Sequence, residues 1–270
     1  MYPPTMAGGK FWLGTSGWGY PEWVGPFYPP GTKEEEMLRI ASRVFNTLEI
    51  NTSFYHVPRV STVKRWADQV PDGFVFSAKV PRVVTHKKKL GDVGKLTETY
   101  LGVMSHLGEH LGPLLIQLPP KLGRDENLLE SYLNQLPSGY RYAVEFRNPS
   151  WLEPGVFKLL ERYGVAYCIV DEPLLPFRVE ITADIAYVRF HGHGKRPWYN
   201  YNYSDEELRD RSKKLLEITG STSETFAYFN NHFRGRAALN ALTMLEIMGL
   251  GARRPEQVVP AQSQLTRWIR

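Results

Sequence analysis

The chain has 270 residues, 42% of them hydrophobic and 23% charged, with a formal net charge of +5. This length suits one large α/β domain with an ample core. The composition excludes a disulfide-built protein, because the one cysteine, Cys168, has no partner and fits a reducing, cytoplasmic setting.

Residues 1–10 are Pro/Gly-rich without an apolar centre, so no signal peptide is expected. No stretch approaches the roughly 18 apolar residues of a membrane span, and no membrane partner is expected. The positive charge favours an anionic partner only weakly, since many basic enzymes simply have a solvated basic surface.

Short apolar runs alternate with amphipathic stretches from end to end, the pattern of a parallel sheet with crossover helices. Eight strands are predicted, at 11–17, 47–53, 74–80, 114–118, 142–147, 166–171, 186–192 and 225–230. Helical spacing falls between them. Met37, Ile40, Ala41 and Val44 share one face, as do Val63, Trp66, Ala67 and Val70. Leu96, Tyr100, Val103 and Leu107 mark a third helix, Leu129, Tyr132, Leu133 and Leu136 a fourth, and Val156, Leu159, Leu160 and Tyr163 a fifth. Ser204 with Glu207 is a capping box, and Ala237, Ala241, Met244, Leu245 and Met248 mark the last helix.

The interval 172–181 is Pro-rich and short of a helix, so a degenerate crossover is expected between strands six and seven. The prediction is one (β/α)₈ barrel of the TIM type over residues 1–270, with its core at 10–250 and a C-terminal extension at 251–270. The alternative, an open doubly wound sheet, would want a Gly-rich phosphate turn after strand one. Gly14-Thr15-Ser16-Gly17 imitates one only weakly.

Barrel strands alternate between interior and helix layer, so charged strand residues point inward or lie at the rim. By that parity Glu49 and Asn51 oppose Leu48 and Ile50. Ser77 and Lys79 oppose the apolar positions of strand three, as Glu145 and Arg147 do in strand five and Arg189 and His191 in strand seven. Gln117 lies near the end of strand four, Asp171 ends strand six, and strand eight runs into Asn230 and Asn231. These residues crowd the strands' C-terminal halves, where enzymes of this fold carry their sites.

The same segments resemble a known family. Gly14-Thr15-Ser16-Gly17-Trp18 with Tyr20 and Trp23, Phe27-Tyr28-Pro29, the run from Phe45 to Asn51 with Phe54-Tyr55, and Phe76-Ser77-Ala78-Lys79 with Thr85-His86 carry the likeness. So do Gln117-Leu118-Pro119-Pro120, Glu145-Phe146-Arg147 with Ser150-Trp151, Arg189-Phe190-His191-Gly192 and Tyr228-Phe229-Asn230-Asn231. Over about residues 11–250 the chain is similar to the YecE-like domain-of-unknown-function family. The resemblance implies a TIM-type barrel and brings no settled activity. Thr52-Ser53 departs from the Ser-Thr order of the family, and the tail with Arg253, Arg254, Arg267 and Arg270 lies beyond the likeness.

Catalytic candidates are Glu49, Glu145, Asp171 and His191, the carboxylates serving as general base or acid. Lys79, Arg147 and Arg189 suit a phosphate or carboxylate, with Asn51, Gln117, Asn230, Trp18, Tyr55 and Trp198 as further binding residues. Pairs such as Glu145–Arg147 and Glu49–Arg189 could instead plug the barrel. Lys79 could form a Schiff base only if burial lowers its pKa; substrate binding or a salt bridge is the simpler role.

No cofactor is expected. Glu49, Glu145, Asp171 and His191 could together hold a divalent ion, as in isomerase-like or endonuclease-like barrels, although the interleaved cations would repel it. His191-Gly192-His193-Gly194 reads as a loop hinge. The loop 195–203 mixes Lys195 and Arg196 with Trp198, Tyr199, Tyr201 and Tyr203, and with Arg82, His86, Lys87, Lys88 and Lys89 it suggests a nucleic-acid-binding rim as the alternative to an enzyme. Packing of long loops on one another accounts for those aromatics equally well.

Overall fold

A computed structural model describes residues 3–195 and 197–259. After a short antiparallel strand at Thr5–Met6, eight parallel strands follow: β1 Gly9–Ser16, β2 Thr47–Ile50, β3 Val75–Lys79, β4 Leu111–Gln117, β5 Tyr142–Glu145, β6 Ala166–Asp171, β7 Ile185–Phe190 and β8 Glu224–Phe229. Each pairs with the next, and β1 pairs with β8 from Lys10↔Glu224 to Thr15↔Phe229, which closes the barrel. Predicted strand two runs three residues too far, because the chain turns at Thr52–Phe54.

Among the described residues seven helices of eight residues or more cover the barrel: α1 Glu34–Val44, α2 Val60–Gln69, α3 Gly94–Met104, α4 Glu126–Leu133, α5 Pro154–Arg162, α6 Asp205–Gly220 and α7 Arg236–Ile247, with one further turn of helix at Pro255–Val258. None lies between β6 and β7, where the chain makes only a bridge from Glu172 to Leu175. The Pro-rich composition of that interval accounts for the missing helix. Ser204 caps α6, accepting from the Glu207 amide while the Glu207 carboxylate accepts from the Ser204 amide. On α3 the buried face is Thr97, Tyr100, Leu101 and Met104, while Leu96 is exposed.

Parity sorts the strand residues into two cores. Leu48, Ile50, Phe76, Ala78, Val144, Phe146, Val188 and Phe190 pack against the helices. Trp12, Val75, Leu115, Ala143, Cys168, Tyr187, Phe226 and Tyr228 fill the interior, where Trp12 stacks on Phe226 at 5.6 Å. Above this plug the interior turns polar. The Tyr228 hydroxyl lies 2.8 Å from Thr47 Oγ1 and 2.6 Å from Ser77 Oγ, each of which satisfies a group that burial would otherwise penalise. No helix is long and apolar enough to cross a membrane among the described residues.

Candidate functional site

The polar interior culminates in an ion network built from alternate residues of β2, β5 and β7. Arg189, almost fully buried, donates from Nη1 to Glu145 Oε2 at 2.6 Å and from Nη2 to Glu49 Oε1 at 2.7 Å. Glu49 Oε2 also accepts from the Tyr187 hydroxyl at 2.6 Å, and Oε1 accepts from Ser16. Glu145 Oε1 accepts from Arg147 Nε and from Gln117 Nε2 at 3.1 Å. Both carboxylates are fully buried and spent on protein donors.

Electrostatics follow from that pairing. Burial alone would raise the Glu145 carboxyl, but Arg147 and Arg189, with His191 beside it, hold it well below the usual range. A permanently ionised, fully engaged carboxylate is a poor proton acceptor. His191 has its Nε2 2.9 Å from Arg147 Nη2 and 3.4 Å from Glu145 Oε1, and its Nδ1 2.9 Å from the Asn230 amide. Burial and the Arg147 charge pull its pKa down to about 3, so it is a neutral imidazole.

Over this layer opens a cavity of about 700 Å³ at the C-terminal end of the strands. Lys79, Arg147, Arg189, Gln117, Asn51 and Asn230 form its floor; Trp18, Tyr20, Phe54, Tyr55, Trp66 and Tyr199 form its walls and rim. Trp18 meets Trp66 edge-on at 5.8 Å, and Tyr20 stacks on His232 at 4.9 Å. Gly17 enters the first loop at φ +85°, and a Cβ there would approach the Tyr20 hydroxyl to 2.7 Å, so this turn needs glycine.

Two buried atoms of floor residues have no hydrogen-bond partner among the described residues: Arg189 Nε, a donor, and Asn51 Oδ1, an acceptor. Asn51 is held from its other end, donating from Nδ2 to Ser16 Oγ at 2.6 Å.

Lys79 differs from its cationic neighbours. It is the last residue of β3, with 9% of its surface exposed. Its backbone carbonyl accepts from the Ser53 hydroxyl at 2.7 Å and the Tyr100 hydroxyl at 3.1 Å, which fixes the strand end. Its Nζ lies 3.9 Å from the centre of the Phe54 ring and forms no ion pair with a described carboxylate. Desolvation and the Arg189 charge bring its pKa down to about 7, against an opposing pull from Glu145 and Glu49.

The sequence-predicted residues therefore separate by depth. Lys79, Arg147, Arg189, Asn51, Gln117, Asn230, Trp18 and Tyr55 line the cavity, while Glu49, Glu145 and His191 lie beneath it. Two predicted residues are elsewhere. Asp171 points out of the barrel, accepting from Arg211 Nε at 3.1 Å and lying 2.9 Å from His193 Nε2. Parity explains this: Cys168 and Val170 face inward, so residue 171 faces the helices. Trp198 is displaced by its neighbour Tyr199, which takes the place at the cavity. Arg196, Arg267 and Arg270 lie outside the described residues.

Sequence reasoning missed Glu172, Ser16, Arg65 and Trp66. Glu172 is the next inward position after Val170, and its Oε2 lies 3.6 Å from Arg147 Nη1, so carrying the alternation one residue further would have found it. Arg65 and Trp66 enter from α2, where helical spacing marks Trp66 only as core. Of the strand-end aromatics, Trp23 and Trp151 are core residues. In the loop after β7, Tyr203 is buried with its hydroxyl accepting from the Gly192 amide at 2.9 Å, and Tyr201 donates to Glu207. Two of that loop's four rings are thus used in packing, and Tyr199 lines the cavity. Among the described residues no cluster of three His, Cys, Asp or Glu side chains is arranged to hold a metal ion.

Comparison with known proteins agrees with the motif resemblance. The family model described as "protein of unknown function DUF72" matches residues 12–264, past the point near Leu250 where the motifs end. The chain belongs to this DUF72 family. A solved DUF72 protein from Thermotoga maritima is 31% identical, with a TM-score of 0.82 over 88% of this chain and 99% of that one. The UPF0759 protein YunF of Bacillus subtilis is 27% identical over 88% of this chain and 95% of its own length. The UPF0759 protein YecE of Escherichia coli K12 is 29% identical over 67% and 74%. In this DUF72 barrel the resembling motifs converge in space: those on β1, β2, β3, β4, β5, β7 and the end of β8 each send a residue to the cavity or the network below it.

Proposed function

We propose that this barrel is an enzyme acting on a small anionic molecule, carboxylate- or phosphate-bearing, held at the mouth by Lys79, Arg147 and Arg189. The observation carrying the reading is the uneven pairing of the floor. Two buried carboxylates engage the two arginines, whereas Lys79 Nζ has no carboxylate of its own. A buried cation without a counter-ion favours an anion supplied by the ligand. The aromatic walls suit a flat body above the charged end. A closed-bottomed cavity of about 700 Å³ fits a small molecule.

Isothermal titration of the full chain with sodium phosphate at low ionic strength tests this. One-to-one binding is expected, lost in Lys79→Met. Binding should also take up protons above pH 7, because an anion beside Lys79 restores its ammonium against burial, Arg189 and Arg147; Glu145 and Glu49 already act in that direction, and His86 is neutral there. Affinity should fall by up to about tenfold per pH unit above about 7. Equal phosphate binding by wild type and Lys79→Met removes the reading. Strongly salt-dependent binding of a single-stranded oligonucleotide, unaffected by Lys79→Met, would point instead to the exposed rim.

A further inference from the structure

We infer that Lys79 is a nucleophilic amine, and that the substrate of this cavity is an anionic carbonyl compound which Lys79 captures as an iminium. The inference rests on the anion-binding reading above and adds the reacting group of the substrate.

Geometry carries it. Lys79 Nζ stands on the cavity floor, held by a strand end whose carbonyl is gripped by Ser53 and Tyr100. A lysine serving structure would be spent on a carboxylate, as Arg147 and Arg189 are on Glu145. Lys79 is not, and it is the one floor cation that can give up a proton, since guanidinium stays charged in proteins. Lys79 shares the cavity with both guanidiniums, so a small molecule whose anion sits among the three cations brings its carbonyl carbon within reach of the amine.

Burial and the two guanidiniums bring the pKa down to about 7, where the free amine is about half populated before an anion binds; a bound anion raises the share of ammonium, and capture draws on the amine that remains. An ordinary lysine near 10.4 is roughly a thousandfold less neutral at that pH. The Phe54 face, 3.9 Å from Nζ, favours cationic nitrogen, and the iminium is itself a cation, so the ring stabilises the adduct.

The step balances without redox. The Nζ lone pair adds to the carbonyl carbon, the C=O π pair moves to oxygen, and nitrogen's proton transfers to that oxygen to give the carbinolamine. The nitrogen lone pair then expels hydroxide, which leaves as water with one proton from solvent. One amine, one carbonyl and one proton thus give one iminium and one water.

The test uses pyridoxal 5′-phosphate, an aromatic aldehyde bearing a phosphate, with sodium borohydride as hydride donor to reduce the iminium to a secondary amine. The full chain is treated at pH 7, digested and mapped by mass spectrometry, and phosphate binding is measured in parallel. The expected result is a near-stoichiometric adduct on Lys79, suppressed by excess inorganic phosphate and weakened several-fold in Phe54→Leu. Lys79→Arg, which keeps the charge without a condensing amine, should lose the adduct while melting as a folded protein. Phosphate binding by the wild type with no adduct on Lys79, or with adducts only on exposed lysines, overturns the amine and leaves the anion site standing. Neither binding nor adduct overturns both. An adduct on Lys79 that phosphate does not suppress supports the amine and counts against the anion site.

Discussion

Lys79 lies on the cavity floor and Glu145 just beneath it, yet substitution should move stability in opposite directions. Glu145 accepts from Arg189, Arg147 and Gln117. Glu145→Gln leaves two guanidiniums short of a counter-charge, and breaking a buried pair in this way costs about 3–5 kcal/mol. Urea unfolding should show that loss. Lys79→Met removes a buried charge that has no such partner and should raise Tm, by about 2–4 °C for each kcal/mol relieved. A thermal melt that instead falls by several degrees would mean that Lys79 has a stabilising role the geometry does not reveal. At this scale the sequence was legible in residue type and side. Parity put Glu49, Lys79, Glu145, Arg147, Arg189 and His191 inside. It could not tell which acids were engaged by which cations.

The ends of β3 and β6 illustrate what an element contributes. At β3 the Ser53 and Tyr100 hydroxyls anchor the Lys79 carbonyl from two different segments. Tyr100→Phe should cost about 1 kcal/mol in unfolding free energy and slow iminium trapping on Lys79, since the strand end gains freedom. At β6, Asp171 ties the strand to Arg211 of α6. Asp171→Asn should therefore lower Tm while leaving phosphate affinity within about twofold of wild type. An affinity loss of tenfold or more would return Asp171 to the site. The strand's alternation was readable throughout, from Cys168 and Val170 inward to Asp171 outward. Position in the chain alone had suggested a functional strand end.

For the whole molecule, pH is the sharpest probe. His191 binds its proton only near pH 3 in the folded state, held neutral by burial and Arg147, whereas an unfolded histidine binds it near 6.5. The unfolded chain therefore holds more protons between those values, and stability falls as pH drops from about 6.5 toward 3, at up to about 1.4 kcal/mol per unit for this group. Glu145, with its folded pKa depressed, adds a loss of the same sign below about pH 4.5. Lys79 acts on the alkaline side. Its folded pKa of about 7 lies below the unfolded value near 10.4, so its contribution to stability rises between those limits. Urea midpoints measured from pH 4 to pH 10 should follow this course. In Lys79→Met the alkaline rise should vanish while the acid limb stays.

By itself the sequence determined the eight-strand alternation, the weak crossover after β6, the family and the inward set of charged residues. Each depends on local periodicity or on ordered motifs, and side-chain direction along a strand is a property of the backbone next to it. Tertiary structure alone decided depth and pairing. Arg189 reaches Glu49, 140 positions away, and Glu145, 44 positions away, only because barrel closure sets β2, β5 and β7 at matching heights. The same closure leaves Lys79 without a carboxylate. The functional reading turns on that difference between paired arginines and an unpaired lysine, which relates residues on separate strands and so has no local signature.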